Sequence, residues 1–259
     1  MRPCLQLTIG ADPGGAARAS AAFAEFADAH GLPAAVRRSM NVVLDELLTN
    51  AIRYALAERE GSVTMDVELG PDRLSMTISD DGKPFNPLAA SAPDTTLPVD
   101  ERPIGGLGIH LVRQLVDEVS YQRRADRNVV VVSKFLAGEP TGRHRGGRLM
   151  HITTRTERDI TIVAIAGNLD SNTSPQAQQA FDTVLASGGR KVAVDFTALD
   201  YISSAGLRVL LGTAKRLSAA GGALRLFGLN ETVGEVFEIS GFSTILAVFP
   251  TEAGALQGF

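Results

Sequence analysis

Apolar and polar residues alternate over Leu5-Gln-Leu-Thr-Ile9, the period of a half-buried strand. The period then lengthens. Ala-rich residues from about Gly14 to Ala29 follow the spacing of an amphipathic helix, and Pro33 stands at the first turn of a second helix running to about Ala57. Alternation returns over 62–69 and 73–79, two strands joined by a Gly-Pro-Asp turn. Residues 81–105 have no periodicity and are rich in Pro, Asp, Ser and Thr, the mark of a functional or mobile loop. A helix over 107–118 and strands over 119–123 and 128–135 complete this half. The order predicts an α+β sandwich, with helices on one face of a mixed, mostly antiparallel sheet.

Residues 138–147, Gly-Glu-Pro-Thr-Gly-Arg-His-Arg-Gly-Gly, hold four Gly and one Pro and no apolar run. They predict a linker over 138–148 between domains at 1–137 and 149–259, each long enough for a small core. Beyond it the pattern reads strand (151–155), strand (160–166), helix (174–187) and strand (191–195). A helix (205–219), a strand (223–227), a helix (231–239) and a last strand (245–248) follow. That is an α/β domain with a mixed sheet and helices packed on it.

Composition narrows the function. Of 259 residues, 44% are hydrophobic and 21% charged, which excludes a mainly disordered chain. Trp is absent, so Ala, Val, Leu and Ile must build the cores. The net charge of −4 argues against direct nucleic-acid binding. Cys4 is the single cysteine and has no partner for an intrachain disulfide. No run reaches the roughly 18 apolar residues of a membrane span, and no signal peptide is apparent, so a cytoplasmic location is expected.

Three stretches of the first half carry candidate chemistry. Glu46 and Asn50, in Leu44-Asp-Glu-Leu-Leu-Thr-Asn50, stand four apart on one helix face. Asp80-Asp-Gly82 ends a strand, where the pair can form a tight turn or hold a carboxylate toward an amino group. Gly105-Gly-Leu-Gly108 opens a helix, where backbone N–H groups and the helix dipole suit a phosphate. No P-loop or dinucleotide fingerprint is present.

In this order the three resemble the N, G1 and G2 boxes of the GHKL ATPase superfamily. Asp80-Asp-Gly-Lys-Pro-Phe-Asn-Pro87 and Gly105-Gly-Leu-Gly-Ile109 look like the small bacterial anti-sigma factor serine kinases. The resemblance covers about residues 5–136. It implies ATP and Mg²⁺ as cofactors. Glu46 would act as the catalytic base or orienting carboxylate, Asn50 as the metal ligand, and Asp80 as acceptor for the adenine amino group. Gly82 would let the base approach the backbone, and Gly105, Gly106, Leu107 and Gly108 would cradle the phosphates. Residues 83–105 would form a lid, in which Lys83 and Arg102 either help neutralise phosphate or stay solvated. Asp45 would be structural, and His110 a surface or packing residue.

In the second half, Asp195 to Leu207 runs from a buried strand into Ser203-Ser-Ala-Gly206 at a helix start. A serine there can cap the helix, and a phosphate there would be stabilised by the dipole and the free N–H groups. With Gly167-Asn-Leu-Asp170, the stretch resembles STAS domains of the anti-sigma factor antagonist type over about 149–256. That resemblance implies Ser204 as phosphoacceptor, less so Ser203, with Asp170 as a supporting acid. Ser203 stands where the family usually has Asp.

Together the halves imply a Mg-ATP-dependent protein serine kinase in a partner-switching pathway. It would phosphorylate its own STAS serine, a dimer mate's, or a separate STAS-domain antagonist's. Implied partners are a sigma factor or analogous target and a PP2C-type phosphatase, and the implied assembly is a homodimer with no membrane contact. The alternative is a non-catalytic, nucleotide-gated binding module whose STAS half docks or dimerises.

Overall fold

The computed structural model describes residues 2–10, 12, 14–57, 61–89, 93–94, 97–104, 106–136 and 150–259. The expected linker at 138–148 and Gly105 lie outside these residues. The chain forms two compact units, Met1–Ala92 with Gly108–Gly146, and Pro93–Leu107 with Gly147–Phe259. The expected division runs along the chain at the linker, whereas the structure gives Pro93–Leu107 to the second unit.

In the first unit, strands β1 (Cys4–Gly10), β2 (Ser62–Leu69), β3 (Arg73–Asp80), β4 (Glu118–Arg124) and β5 (Arg127–Phe135) form one sheet in the order β1-β2-β3-β5-β4. Every neighbouring pair is antiparallel, so the mixed character expected of this sheet is absent among the described residues. Alternate residues of β3, from Leu74 through Met76 and Ile78 to Asp80, are buried, as the period of two requires. Helices α1 (Gly15–Ala29), α2 (Ala34–Asn50) and α3 (Gly108–Leu115) cover that face. α2 packs against both α1 and α3. This central place buries its residues almost all round, Asp45 and Glu46 included.

The helix expected to reach Ala57 changes form after Asn50. Residues Ala51–Ala55 make a π turn, closed by the Leu56 N–H donating to the Ala51 carbonyl at 3.0 Å. Such turns insert one extra residue and concentrate at functional sites.

In the second unit, β6 (His151–Glu157), β7 (Ile160–Leu169), β8 (Lys191–Asp195), β10 (Ala223–Phe227) and β11 (Ala247–Phe249) lie in the order β11-β10-β8-β7-β6. Only the β6–β7 pair is antiparallel. β9 (Leu199–Ile202) pairs with the end of β7. Helices α4 (Ser174–Ala186), α5 (Ser204–Ala219) and α6 (Glu231–Ile239) follow the βα alternation. A short α7 (Glu252–Leu256), not expected from the sequence, adds Ala255 and Leu256 to a cluster with Ile160, Ile162, Ala193 and Phe227. This explains why Val192, Ala193 and Val194 form an unbroken buried run, since β8 is covered on both faces.

Candidate functional site

Asp80 ends β3 and is 5% exposed. Its Oδ1 accepts from the Gly82 N–H at 2.9 Å and from Asn128 Nδ2 at 2.8 Å. Its Oδ2 accepts no hydrogen bond among the described residues. Burial pushes this carboxyl above its usual range, opposed by those two hydrogen bonds and by the charges of Arg123 and Arg127. The neighbouring Asp81 moves the other way. Its carboxylate accepts from the Ser62 N–H at 2.9 Å and from Ser62 Oγ at 3.1 Å, and the Ser62 backbone bond holds it below the usual range. Two adjacent acids thus have separate roles. Asp81 pins β2 to the turn, and Asp80 presents an open oxygen.

Gly82 is fixed by the protein's own backbone. A Cβ there would stand 2.5 Å from the carbonyl carbon and oxygen of Ala55, far inside contact distance. The next residue continues the junction, with the Lys83 N–H donating to the Ala55 carbonyl at 3.0 Å. The π turn therefore meets the Asp80-Asp-Gly82 turn directly. Glu46, on the preceding helix, is buried, and Asn50 is half-buried at the junction of α2 with the π turn. Tyr54 of the π turn stacks on Phe85, with ring centroids 5.2 Å apart.

Asn128 was missed by sequence reasoning. It is 2% exposed and works with all its polar atoms. Nδ2 donates to Asp80 and, at 2.9 Å, to the Lys83 carbonyl. Oδ1 accepts from the Phe85 N–H at 3.1 Å and from Tyr121 at 2.9 Å. Arg123 adds a bond to the Gly82 carbonyl at 2.9 Å. The one available signal was a polar residue opening a strand of four consecutive valines.

The donor set suits a nucleotide: a buried acid with one open oxygen, a stacked aromatic pair and a half-buried amide. No group of three His, Cys, Asp or Glu side chains that could hold a metal occurs among the described residues. Mg²⁺ commonly keeps its waters and binds with substrate phosphates, so a single amide ligand such as Asn50 fits it. Gly108 opens α3, and His110 lies partly buried in its first turn. Arg102 departs from the expectation of a solvated lid residue or a phosphate partner. It is 3% exposed and bonded within the second unit.

In the second unit, Leu169 and Ile202 pair across β7 and β9, which brings Asp170 beside the head of α5. The Ser203 N–H donates to the Leu169 carbonyl at 3.0 Å. Asp170 is held by local bonds. Its Oδ1 accepts from the Asn172 and Thr173 N–H groups, both at 3.0 Å, and its Oδ2 from Tyr201 at 3.2 Å. Ser203 occupies the N-cap position of α5 but makes no capping bond. Its Oγ is buried without a partner, against the simple expectation of a capping serine. Ser204 is 8% exposed, and a Cβ on Gly206 would lie 2.7 Å from Leu169 and Ile202 side-chain atoms. The helix head is therefore tightly seated on β7 and β9.

The family model of the histidine kinase-like ATPase domain matches residues 9–134, and that of the STAS domain matches 151–255. BtrV of Bordetella bronchiseptica, which carries the name of an anti-sigma factor antagonist, is 38% identical over 110 residues, 42% of this chain and 95% of BtrV. The anti-sigma-B factor antagonist of Listeria monocytogenes is 32% identical over 102 residues, 39% of this chain and 89% of its own length. The crystal structure of an anti-sigma factor antagonist from Mycobacterium paratuberculosis is 21% identical, with a TM-score of 0.40, covering 42% of this chain and 92% of its own. The chain carries a histidine kinase-like ATPase domain followed by a STAS domain, and through the latter it belongs to the anti-sigma factor antagonist family.

Proposed function

We propose that the chain is a Mg-ATP-dependent protein serine kinase of a partner-switching pathway, with a STAS serine as acceptor. The observation that carries this reading is the open Oδ2 of Asp80. A buried carboxylate fixed through one oxygen, the other accepting no hydrogen bond among the described residues, is arranged to accept one from an arriving amino group, as on adenine. Glu46 and Asn50 stand four residues apart on α2, the helix that meets this turn through its π extension.

In the transfer, the serine oxygen bonds to the γ-phosphorus, the bond to the β–γ bridging oxygen breaks, and ADP leaves. Glu46 takes the hydroxyl proton. Asn50 would hold the Mg²⁺ ion, which would supply charge neutralisation to the phosphates. Gly105, Gly106, Leu107 and Gly108 supply backbone donors. Such sites act chiefly by positioning and charge stabilisation. Ser204, supported by Asp170, is the acceptor in this chain, and the same serine of a dimer mate or of a separate antagonist serves equally. A sigma factor or similar target and a PP2C-type phosphatase complete the pathway.

A non-catalytic clamp is favoured by one observation, the burial of Ser204 in a seated helix head. Intact mass after incubation with ATP and Mg²⁺ separates the two. A phosphoryl increment that disappears in Ser204→Ala and Glu46→Gln supports the kinase. No transfer to the chain or to any added STAS antagonist, with nucleotide still bound, leaves the clamp.

A further inference from the structure

Asn128 and Asp80 are direct partners in the β3–β5 register, and both side chains are buried. The amide of Asn128 cannot turn. It stands between two backbone groups of opposite character, the Phe85 N–H, which only donates, and the Lys83 carbonyl, which only accepts. The first fixes the amide oxygen and the second fixes the nitrogen, while Tyr121 adds a further donor to the oxygen at 2.9 Å. Rotating the amide by half a turn would set like against like at both backbone contacts. The group that Asn128 presents to Asp80 is therefore always a donor.

That decides which way residue 80 faces. Its Oδ1 receives two donors that cannot reverse, Asn128 Nδ2 at 2.8 Å and the Gly82 N–H at 2.9 Å. A hydrogen placed at that end would meet both of them head-on, so any hydrogen that residue 80 carries must sit at the other end. In the carboxylate that other end, Oδ2, is an acceptor. Burial pushes the carboxyl up, toward a protonation that would turn Oδ2 into a donor, and the Asn128 bond opposes it. In orientation and in charge alike, Asn128 holds the outward oxygen in its accepting form.

We propose that Asn128 is a positioning residue that makes the site select a purine with an amino group over one with a carbonyl oxygen at the same place. This deepens the nucleotide reading above and rests on it. The amino purine meets an acceptor and pairs with it. The oxo purine sets its own lone pairs against Oδ2 and leaves a buried charge without a partner. Asn128 acts through Asp80.

The test uses the full chain with Mg²⁺ and either ADP or inosine diphosphate, which differ at purine position 6, amino against oxo. Calorimetry reads the affinities. Wild type is expected to prefer ADP, and Asn128→Ala to lose roughly tenfold or more of that preference. Asp80→Asn is expected to invert it. Its amide oxygen must take the Gly82 and Asn128 donors, so its NH₂ must face outward, where a carbonyl oxygen suits it. A merely loosened pocket would weaken both nucleotides without reversing their order. An Asp80→Asn variant that still prefers ADP, or an Asn128→Ala variant with the wild-type ratio, overturns the assignment. Where Asn128→Ala does not fold, Asp80→Asn decides alone, since it keeps both bonds at the inner oxygen. Equal binding of ADP and inosine diphosphate by wild type overturns the selection and leaves the nucleotide reading intact. Binding of neither to wild type overturns the nucleotide reading and the selection with it.

Discussion

Asp80→Asn separates what the acid does for the fold from what it does for a ligand. The amide keeps an oxygen where Gly82 and Asn128 donate, at 2.9 and 2.8 Å, so neither bond need be lost. It removes a charge that burial disfavours. The folded carboxyl has its pKa raised, chiefly by desolvation, so it holds a proton at pH values where the unfolded chain has already released it. Its contribution to stability is therefore fully present below the unfolded pKa and is lost as pH rises through the folded one. The Asn variant lacks that loss. It should match or exceed the wild type in thermal stability at about pH 7, with the difference shrinking as pH falls into the carboxylate range. Nucleotide affinity should move the other way. The amide places a donor where Oδ2 stood, facing an amino donor. Loss of a hydrogen bond to a charged group, about 1.5–3 kcal/mol, is roughly a 10- to 150-fold weakening. Calorimetric titration with Mg-ATP and melting curves at two pH values measure both. An Asn variant that binds nucleotide as tightly as wild type, or whose stability advantage grows toward acid pH, would falsify the assignment of Asp80.

Other substitutions test neighbouring claims. Gly82→Ala drives a Cβ to 2.5 Å from the Ala55 backbone and should cost about 1–3 kcal/mol or more, read from a lower denaturation midpoint. Asn128→Ala leaves the Phe85 N–H, the Lys83 carbonyl and Tyr121 without this partner, and a loss of about 3 kcal/mol is expected by chemical denaturation followed by circular dichroism. Ser203→Ala removes a buried hydroxyl that bonds nothing among the described residues, so stability should be unchanged or higher. Breaking the Arg216–Asp182 pair, whose side chains are half exposed, should leave the melting temperature nearly unchanged, as read by thermal denaturation.

The periods of two and 3.6 located the main strands and helices, because a one-sided core writes itself into the spacing of Leu74, Met76 and Ile78 or of Leu44, Leu47 and Leu48. The resemblance named Glu46, Asn50, Asp80 and Gly82 together, and in the structure Gly82 abuts the π turn that follows Asn50. What escaped has a physical reason in each case. The π turn at Ala51–Ala55 uses ordinary helix formers and differs only in which carbonyl receives the hydrogen bond. Asn128 earns its place through partners 43 and 48 positions away, which local patterning cannot register. α7 is five residues long, too short for a period to show. Arg102 in a Pro-rich, polar stretch reads as solvated, and only its tertiary partners reveal that it is buried.

Inclusion of Pro93–Leu107 in the second unit has a consequence for biosynthesis. Arg102 leaves the ribosome 139 residues ahead of Gly241, whose carbonyl it will reach. At roughly 5–20 residues per second that is a wait of roughly 7–28 s. During it the first sheet can close around its helices, while the carbonyl partners of Arg102 have yet to be made. The bonds from Arg102 to the Ser240 and Gly241 carbonyls can therefore form only after most of the second unit has been translated.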